Sequence, residues 1–344
     1  MRAHVPNGPP LGLPEGFQPA RWLRGPHAQT VGARLLRSRD GVRLRRERLT
    51  TPDGDFLDLD WAEVPGQASG TGPLVVVLHG LEGSAASKYA LETYRQLARR
   101  GVAAVGLNFR SCSGELNHAP RLYHSGETDD VRFVLGTLAS RTPERPLGAI
   151  GFSLGGNVLL KYLGEEGNSG RPASLAAAAA ISVPYDLAAG AAHMEHGVAR
   201  AYVWRLVRSL QRKVRARAAA LRDRIDVPAA LAARTFWAFD DAATAPLHGF
   251  RDADDYYARA SSRSWLPAIE VPTRLIHALD DPFLPEAAVP VPAMRANPAI
   301  DPHVSAFGGH VGFVTGPPWA PTFWAEAMAA AFVAARLTRA EPVR

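Results

Sequence analysis

Six short runs of almost unbroken apolar residues, at 74–78, 102–107, 147–152, 176–183, 273–279 and 302–307, are separated by longer stretches with helical spacing. A strand that is apolar at every position, rather than at every second one, must be covered on both faces. Strands of that kind alternating with helices build a mostly parallel sheet from β-α-β units, with helices on both faces. The spacing predicts helices over 87–99, 128–138, 154–163 and 321–337. Upstream, 42–49 and 56–61 flank a Pro52-Asp53-Gly54 turn and read as an antiparallel hairpin at the sheet edge. With 344 residues, 47% hydrophobic and 21% charged, the chain can bury an enzyme-sized core, which excludes the disordered and fibrous classes.

The alternation stops between 187 and 267, where helical periodicity continues without a strand. Val203, Leu206, Val207, Leu210 and Val214 recur at helical spacing, with arginines on the opposite side. The organisation expected is an α/β core made of 1–186 and 268–344, with a helical lid, 187–267, inserted before the strand at 273–279. Such an insertion would lie over the carboxyl ends of the strands, where open α/β sheets bind ligands.

Charge narrows the partners. The net charge is +6, yet residues 200–224 alone carry nine basic side chains against one acid, so the rest of the chain is slightly acidic. That excludes a general nucleic-acid footprint. The arginine-rich face reads as a solvated helix face, with weak contact to an anionic membrane surface as the alternative. Cys112 is the only cysteine, which rules out an internal disulfide and a cysteine-based zinc site and points to a buried packing role in a reducing compartment. The N-terminal residues hold no apolar stretch of signal-peptide length, and no apolar run spans a bilayer, so a cytoplasmic location is expected.

The chemistry is carried by Gly151-Phe152-Ser153-Leu154-Gly155-Gly156, placed between an apolar run and a helical pattern. A G-x-S-x-G in strand-turn-helix context is a nucleophile elbow, in which a sharp turn exposes the serine hydroxyl and the helix N-terminus favours a developing oxyanion. A hydroxyl is a poor nucleophile near neutral pH, so a base and an orienting carboxylate must follow, in the chain order Ser, acid, His. His310, in the Gly308-Gly309-His310 loop after the last strand, is the base. Asp281 is the favoured acid because Pro285 stands four residues on; Asp280 is the alternative. His277 and His303 lie within strand patterns and read as structural. The loop Leu78-His79-Gly80-Leu81-Glu82-Gly83-Ser84 follows the first strand of the core. Leu81 and Leu154 are expected to supply the two oxyanion-hole N–H groups, with His79 bracing the loop. His193 and His196 do not reproduce HExxH, so no metal is expected.

The sequence resembles, nearly end to end, the YheT-like branch of the α/β-hydrolases, which also holds eukaryotic ABHD1/ABHD3-type lipases and yeast medium-chain acyl-CoA:ethanol acyltransferases. The shared stretches include Trp22, His27-Ala28-Gln29-Thr30, the HGLEGS loop, Phe109-Arg110 with Cys112-Ser113-Gly114-Glu115, the segment 121–128, GFSLGGN, Phe239-Asp240-Asp241 and Thr244-Ala245-Pro246-Leu247-His248-Gly249-Phe250. Ser111 departs from the family pattern, which has glycine there. The resemblance implies an α/β-hydrolase fold and a Ser153-Asp281-His310 triad that acts on small-molecule esters or acyl thioesters without a cofactor. Hydrolysis is the expected outcome. Acyl transfer to an alcohol, or a non-catalytic lipid-binding relative, are the alternatives.

Overall fold

The computed structural model describes residues 16–66, 72–171 and 173–338. The expectation of no secretory leader falls on the first fifteen residues, outside those described.

Eight strands form one sheet: β1 (Arg43–Thr50), β2 (Phe56–Glu63), β3 (Leu74–Leu78), β4 (Ala103–Asn108), β5 (Leu147–Phe152), β6 (Ala177–Ile181), β7 (Thr273–Ala278) and β8 (Ile300–Ser305). Their order is β1-β2-β4-β3-β5-β6-β7-β8. The β1–β2 and β2–β4 pairs are antiparallel, and every pair from β4 through β8 is parallel. The hairpin thus caps one edge, and its outer strand is charged. Arg46 and Arg48 stand opposite Asp60 and Asp58 and bridge to them at 2.8 Å, which blunts the edge against further pairing.

Helices α1 (Pro26–Leu36), α2 (Lys88–Ala98), α3 (Asp129–Arg141) and α4 (Leu154–Ser169) join a C-terminal helix, Trp324–Leu337. Along β3, Leu74, Val76 and Leu78 enter the core under α3 and α4, while Val75 and Val77 enter the one under α2 and the C-terminal helix. Alternate side chains go to opposite faces, and both are dry, so every position is apolar. In β6 four alanines precede Ile181, and their small side chains let α4 come close: a Cβ on Gly156 would lie 3.5 Å from that of Ala180.

The segment between β6 and β7 is helical, with α5 (Leu187–Met194), α6 (Ala199–Ala216) and a helix at Ala253–Ala260 as its longest members. Val203, Val207, Leu210 and Val214 of α6 are buried in a separate small core with Leu221, Ile225 and Phe239.

Helix α4 runs six residues past the expected 163 and α3 three past 138; three further boundaries differ for a visible reason. The chain leaves β6 at Ser182, whose φ of 53° ends the extended run two residues early. β8 lies two residues upstream of the run at 302–307, because Asp301 reaches back to Arg274 on β7 at 2.6 Å while Phe307 is exposed in the following loop. Thr322 and Phe323 form a short antiparallel bridge with Thr315 and Val314, so the last helix starts at Trp324. Helix α1 is not predicted at all. Only Gln29 and Ala33 of it are buried, so it offers no apolar stripe to read.

Apart from Ala33, which packs with Ala20, Val314 and Phe323, what docks α1 is polar. Arg37, just past its end, is buried, lies 2.6 Å from the buried Glu326 of the C-terminal helix, and donates to the carbonyls of Val311 and Gly312. Removing one member of such a pair strands the other charge away from water. Glu326→Ala is expected to lower stability by about 3–5 kcal/mol, measured by urea unfolding.

Candidate active site

Ser153 stands alone between β5 and α4, with φ 52° and ψ −120°, a conformation that L-residues rarely adopt. Its surroundings leave it no other. Its N–H donates to the carbonyl of Ile181 on β6 at 2.9 Å, and its carbonyl accepts from Asn157 at 3.0 Å. Strand, turn and helix then pack with no space for side chains. A Cβ on Gly151 would lie 2.6 Å from the carbonyl oxygen of Gly155, and one on Gly155 would lie 2.5 Å from that of His79. The serine hydroxyl is thereby held out from the strand end, facing a cavity.

Two loops meet it there. His310 Nε2 lies 2.9 Å from Ser153 Oγ, and His310 Nδ1 lies 2.8 and 3.1 Å from the two carboxylate oxygens of Asp281. Asp281 also accepts from the N–H of Phe283 at 2.8 Å. Phe283 stacks on the imidazole, with ring centres 3.8 Å apart and planes within 4°, a contact for which the sequence offered no signal. Asp280 does different work: its carboxylate accepts from the Gly309 N–H at 2.8 Å and so holds the loop backbone, not the ring. Burial raises its pKa. The two rival histidines are not bonded to Ser153. His277 is buried in β7 with neither ring nitrogen paired among the described residues, and His303 pairs with Asp301 at 3.5 Å.

The His310 loop is pinned from α1. Thr30 Oγ1 accepts from the His310 N–H at 2.9 Å, and Gln29 Oε1 accepts from the Val314 N–H at 2.7 Å. Ser182 adds a third anchor by accepting from Val311 at 2.9 Å. The motif His27-Ala28-Gln29-Thr30 was visible as a family resemblance, but its role depends on contacts some 280 residues away along the chain.

The loop after β3 is equally ordered. Gly80 donates its N–H to Tyr89 at 2.9 Å, Glu82 donates to Tyr123 at 2.7 Å, and Gly83 donates to the Gly80 carbonyl at 2.9 Å. Between them the Leu81 N–H has no acceptor among the described residues, and neither does the Leu154 N–H at the start of α4. His79 is buried, donates from Nδ1 to the Gly80 carbonyl at 2.8 Å and accepts the Phe109 N–H on Nε2 at 3.1 Å, which requires a neutral ring. Glu82 ties this loop to α6 by a largely buried 2.6 Å bridge to Lys213 and a 2.6 Å hydrogen bond from Ser209. Cys112 lies 3.2 Å from the same lysine, and burial pushes its thiol up to about 11. Ser111 has φ 61°, so it keeps the backbone that glycine would adopt without strain.

The cavity at Ser153 is mainly apolar, with Met194, Leu206 and Leu210 of the insertion among its walls. One acid faces it. Asp240 opens a π-helical turn and accepts from Tyr257 at 2.7 Å and from Thr244; burial raises its pKa to about 6. Elsewhere, among the described residues, the side chains of His124, Glu127 and His248 come within 4.8 Å of one another, the spacing of metal ligands. Glu127 is already paired with Arg121, and His124 Nδ1 accepts from Gly126, which leaves little for a cation to gain. His193 and His196 are not part of such a group.

Several buried imidazoles make stability depend on pH. Burial holds His79 and His277 down to about 4 and His248 down to about 3, from an ordinary 6.5. Below the ordinary value the unfolded chain binds more protons than the folded one, so stability is full above it and is lost as pH falls toward 4. Urea unfolding at about pH 7.5 and about pH 5 should show the lower value in acid, by at most about 1.4 kcal/mol per pH unit per histidine.

Comparison with known proteins agrees with this architecture. Residues 73–317 match the family model described as alpha/beta hydrolase fold. The chain is 39% identical to YheT of Escherichia coli (strain K12), over 90% of each protein. It is 31% identical to the phospholipase ABHD3 of Mus musculus, over 88% of this chain and 74% of that one. A solved structure, the 2,6-dihydroxy-pseudo-oxynicotine hydrolase, superposes with a TM-score of 0.53 at 15% identity, over 92% of this chain and 73% of that one. The parallel sheet, the serine at its elbow and this kinship together mean that the chain belongs to the α/β-hydrolase family, in its YheT-like branch.

Proposed function

We propose that the protein is a serine carboxylic ester hydrolase. The observation that carries this is the continuous hydrogen-bonded line Asp281–His310–Ser153 at the elbow. In this reading His310 takes the Ser153 proton as Oγ attacks the ester carbonyl, and Asp281 holds the imidazole tautomer and stabilises the cation that forms. The unpaired N–H groups of Leu81 and Leu154 receive the oxyanion; losing one such donor typically costs about 3 kcal/mol of transition-state stabilisation. The C–O bond then breaks as His310 returns the proton to the alcohol. Water, deprotonated by His310, attacks the acyl-serine and regenerates the enzyme. No cofactor takes part.

The apolar cavity favours an acyl chain, and the phospholipase name of the mouse relative supports a lipid-type ester. The segment 187–267 serves as the lid, since α6 walls the cavity and grips the Leu81 loop through Glu82.

The test is turnover of p-nitrophenyl esters of graded chain length, together with fluorophosphonate labelling. Ser153→Ala should lose label and about a millionfold in kcat. Asp281→Asn should lose about 10³–10⁴-fold, and Asp280→Asn far less. Undiminished turnover by Ser153→Ala would refute the assignment, and equal losses at the two aspartates would refute the role of Asp281. Failure of the fluorophosphonate to label the unaltered protein would favour a non-catalytic lipid binder.

A further inference from the structure

Helix α6 has two faces with opposite chemistry. Inward, Leu206 and Leu210 wall the cavity at Ser153, and Lys213 is committed to Glu82. Outward, Arg200, Arg205, Arg208, Arg212 and Arg215 are all exposed, and none pairs with a carboxylate among the described residues. Elsewhere among the described residues some exposed arginines find acids, as Arg46, Arg48, Arg141 and Arg259 do, while scattered ones such as Arg99 and Arg295 do not; what sets α6 apart is that five follow one another on one helix. A row of five without any is a cationic stripe, not a salt-bridged surface.

Trp204 stands within that stripe, 61% exposed, with the Arg208 guanidinium over its ring at 4.8 Å. Helix α1 lies alongside, since His27 contacts Tyr202 of α6 at 3.1 Å. It adds Val31 and Leu35, the latter 71% exposed, and Val198 before α6 is 61% exposed. Burial and the like charges of Arg205 and Arg39 lower the pKa of Arg34, which puts that guanidinium in the same positive field.

We infer that the outer face of α6, with the exposed edge of α1, is a docking surface for an anionic phospholipid bilayer. Guanidiniums pair with lipid phosphates, and a tryptophan among them seats at headgroup depth. The exposed aliphatic side chains favour a bilayer over a nucleic acid, whose phosphate backbone has no use for them. The docking inferred here is a peripheral one, by an exposed helix face; among the described residues no helix is long and apolar enough to cross a membrane. Docked this way, the helix whose other side walls the cavity lies against the lipid surface. The inference goes beyond the proposed chemistry and does not depend on it.

The test is sedimentation of full-length protein with vesicles of phosphatidylcholine alone, or mixed with phosphatidylglycerol. The Ser153→Ala background keeps the lipid intact. Binding to the mixed vesicles only, and weaker at higher salt, is expected. Arg205→Gln, Arg208→Gln and Arg212→Gln together should weaken it on the order of 100-fold, about fivefold per charge, and Trp204→Ala should weaken it further. The same substitutions in the Ser153 protein should leave the circular dichroism and the turnover of a water-soluble ester unchanged. Absence of binding to either vesicle, equal binding to both, or insensitivity to the three substitutions would overturn the inference. So would displacement from the mixed vesicles by a DNA duplex at equal phosphate concentration, which would mark the stripe as a general polyanion site.

Discussion

The strained backbone at Ser153 is the point on which the rest of the molecule is arranged. A residue at φ 52° and ψ −120° costs of order 1–3 kcal/mol and persists only where its neighbours over-determine it. Here they do so from three directions. β6 accepts its N–H, α4 begins immediately after it, and the β3 loop passes so close that Gly155 can carry no side chain. The glycines of the motif follow from that crowding. So does the position of Leu81, whose loop is braced by His79 against the segment after β4.

The second requirement is that an imidazole on a glycine-rich loop be held still. The fold meets it with groups from far along the chain: Asp280 and Asp281 after β7, Ser182 after β6, and Thr30 and Gln29 on α1. Adjacent aspartates divide the labour, one bonding the ring and the other the backbone of the loop. Arg37 extends the arrangement to the C-terminal helix through Glu326, so both ends of the described chain bear on the His310 loop. The insertion is coupled at the opposite side through the Lys213–Glu82 bridge. A shift of α6 therefore bears on the loop that holds Leu81.

Much of this was legible in the residues. Strands covered on both faces declare themselves by unbroken apolar runs, and the elbow by glycines whose spacing has a steric cause. The hairpin at the sheet edge and the arginine face of α6 were equally plain. What escaped was α1, which docks through hydrogen bonds and a buried ion pair and so lacks an apolar period. Asp280 and Asp281 could be ranked only by a turn pattern, because adjacent residues after a strand differ in direction, and direction is a property of the turn. Phe283 carried no local mark of its proximity to the site, and Asp240 stood out only as part of the shared stretch Phe239-Asp240-Asp241, which says nothing of where it lies.

The sequence by itself determined the parallel sheet, the helical character of the insertion and the serine at the elbow, since each follows from local periodicity or from sterics within a few residues. Tertiary structure alone decided which carboxylate meets His310, which amides stay unpaired, and what α1 holds. Those are matters of hydrogen-bond partners separated by up to 285 residues, and no local pattern encodes the distance between groups that only folding brings together.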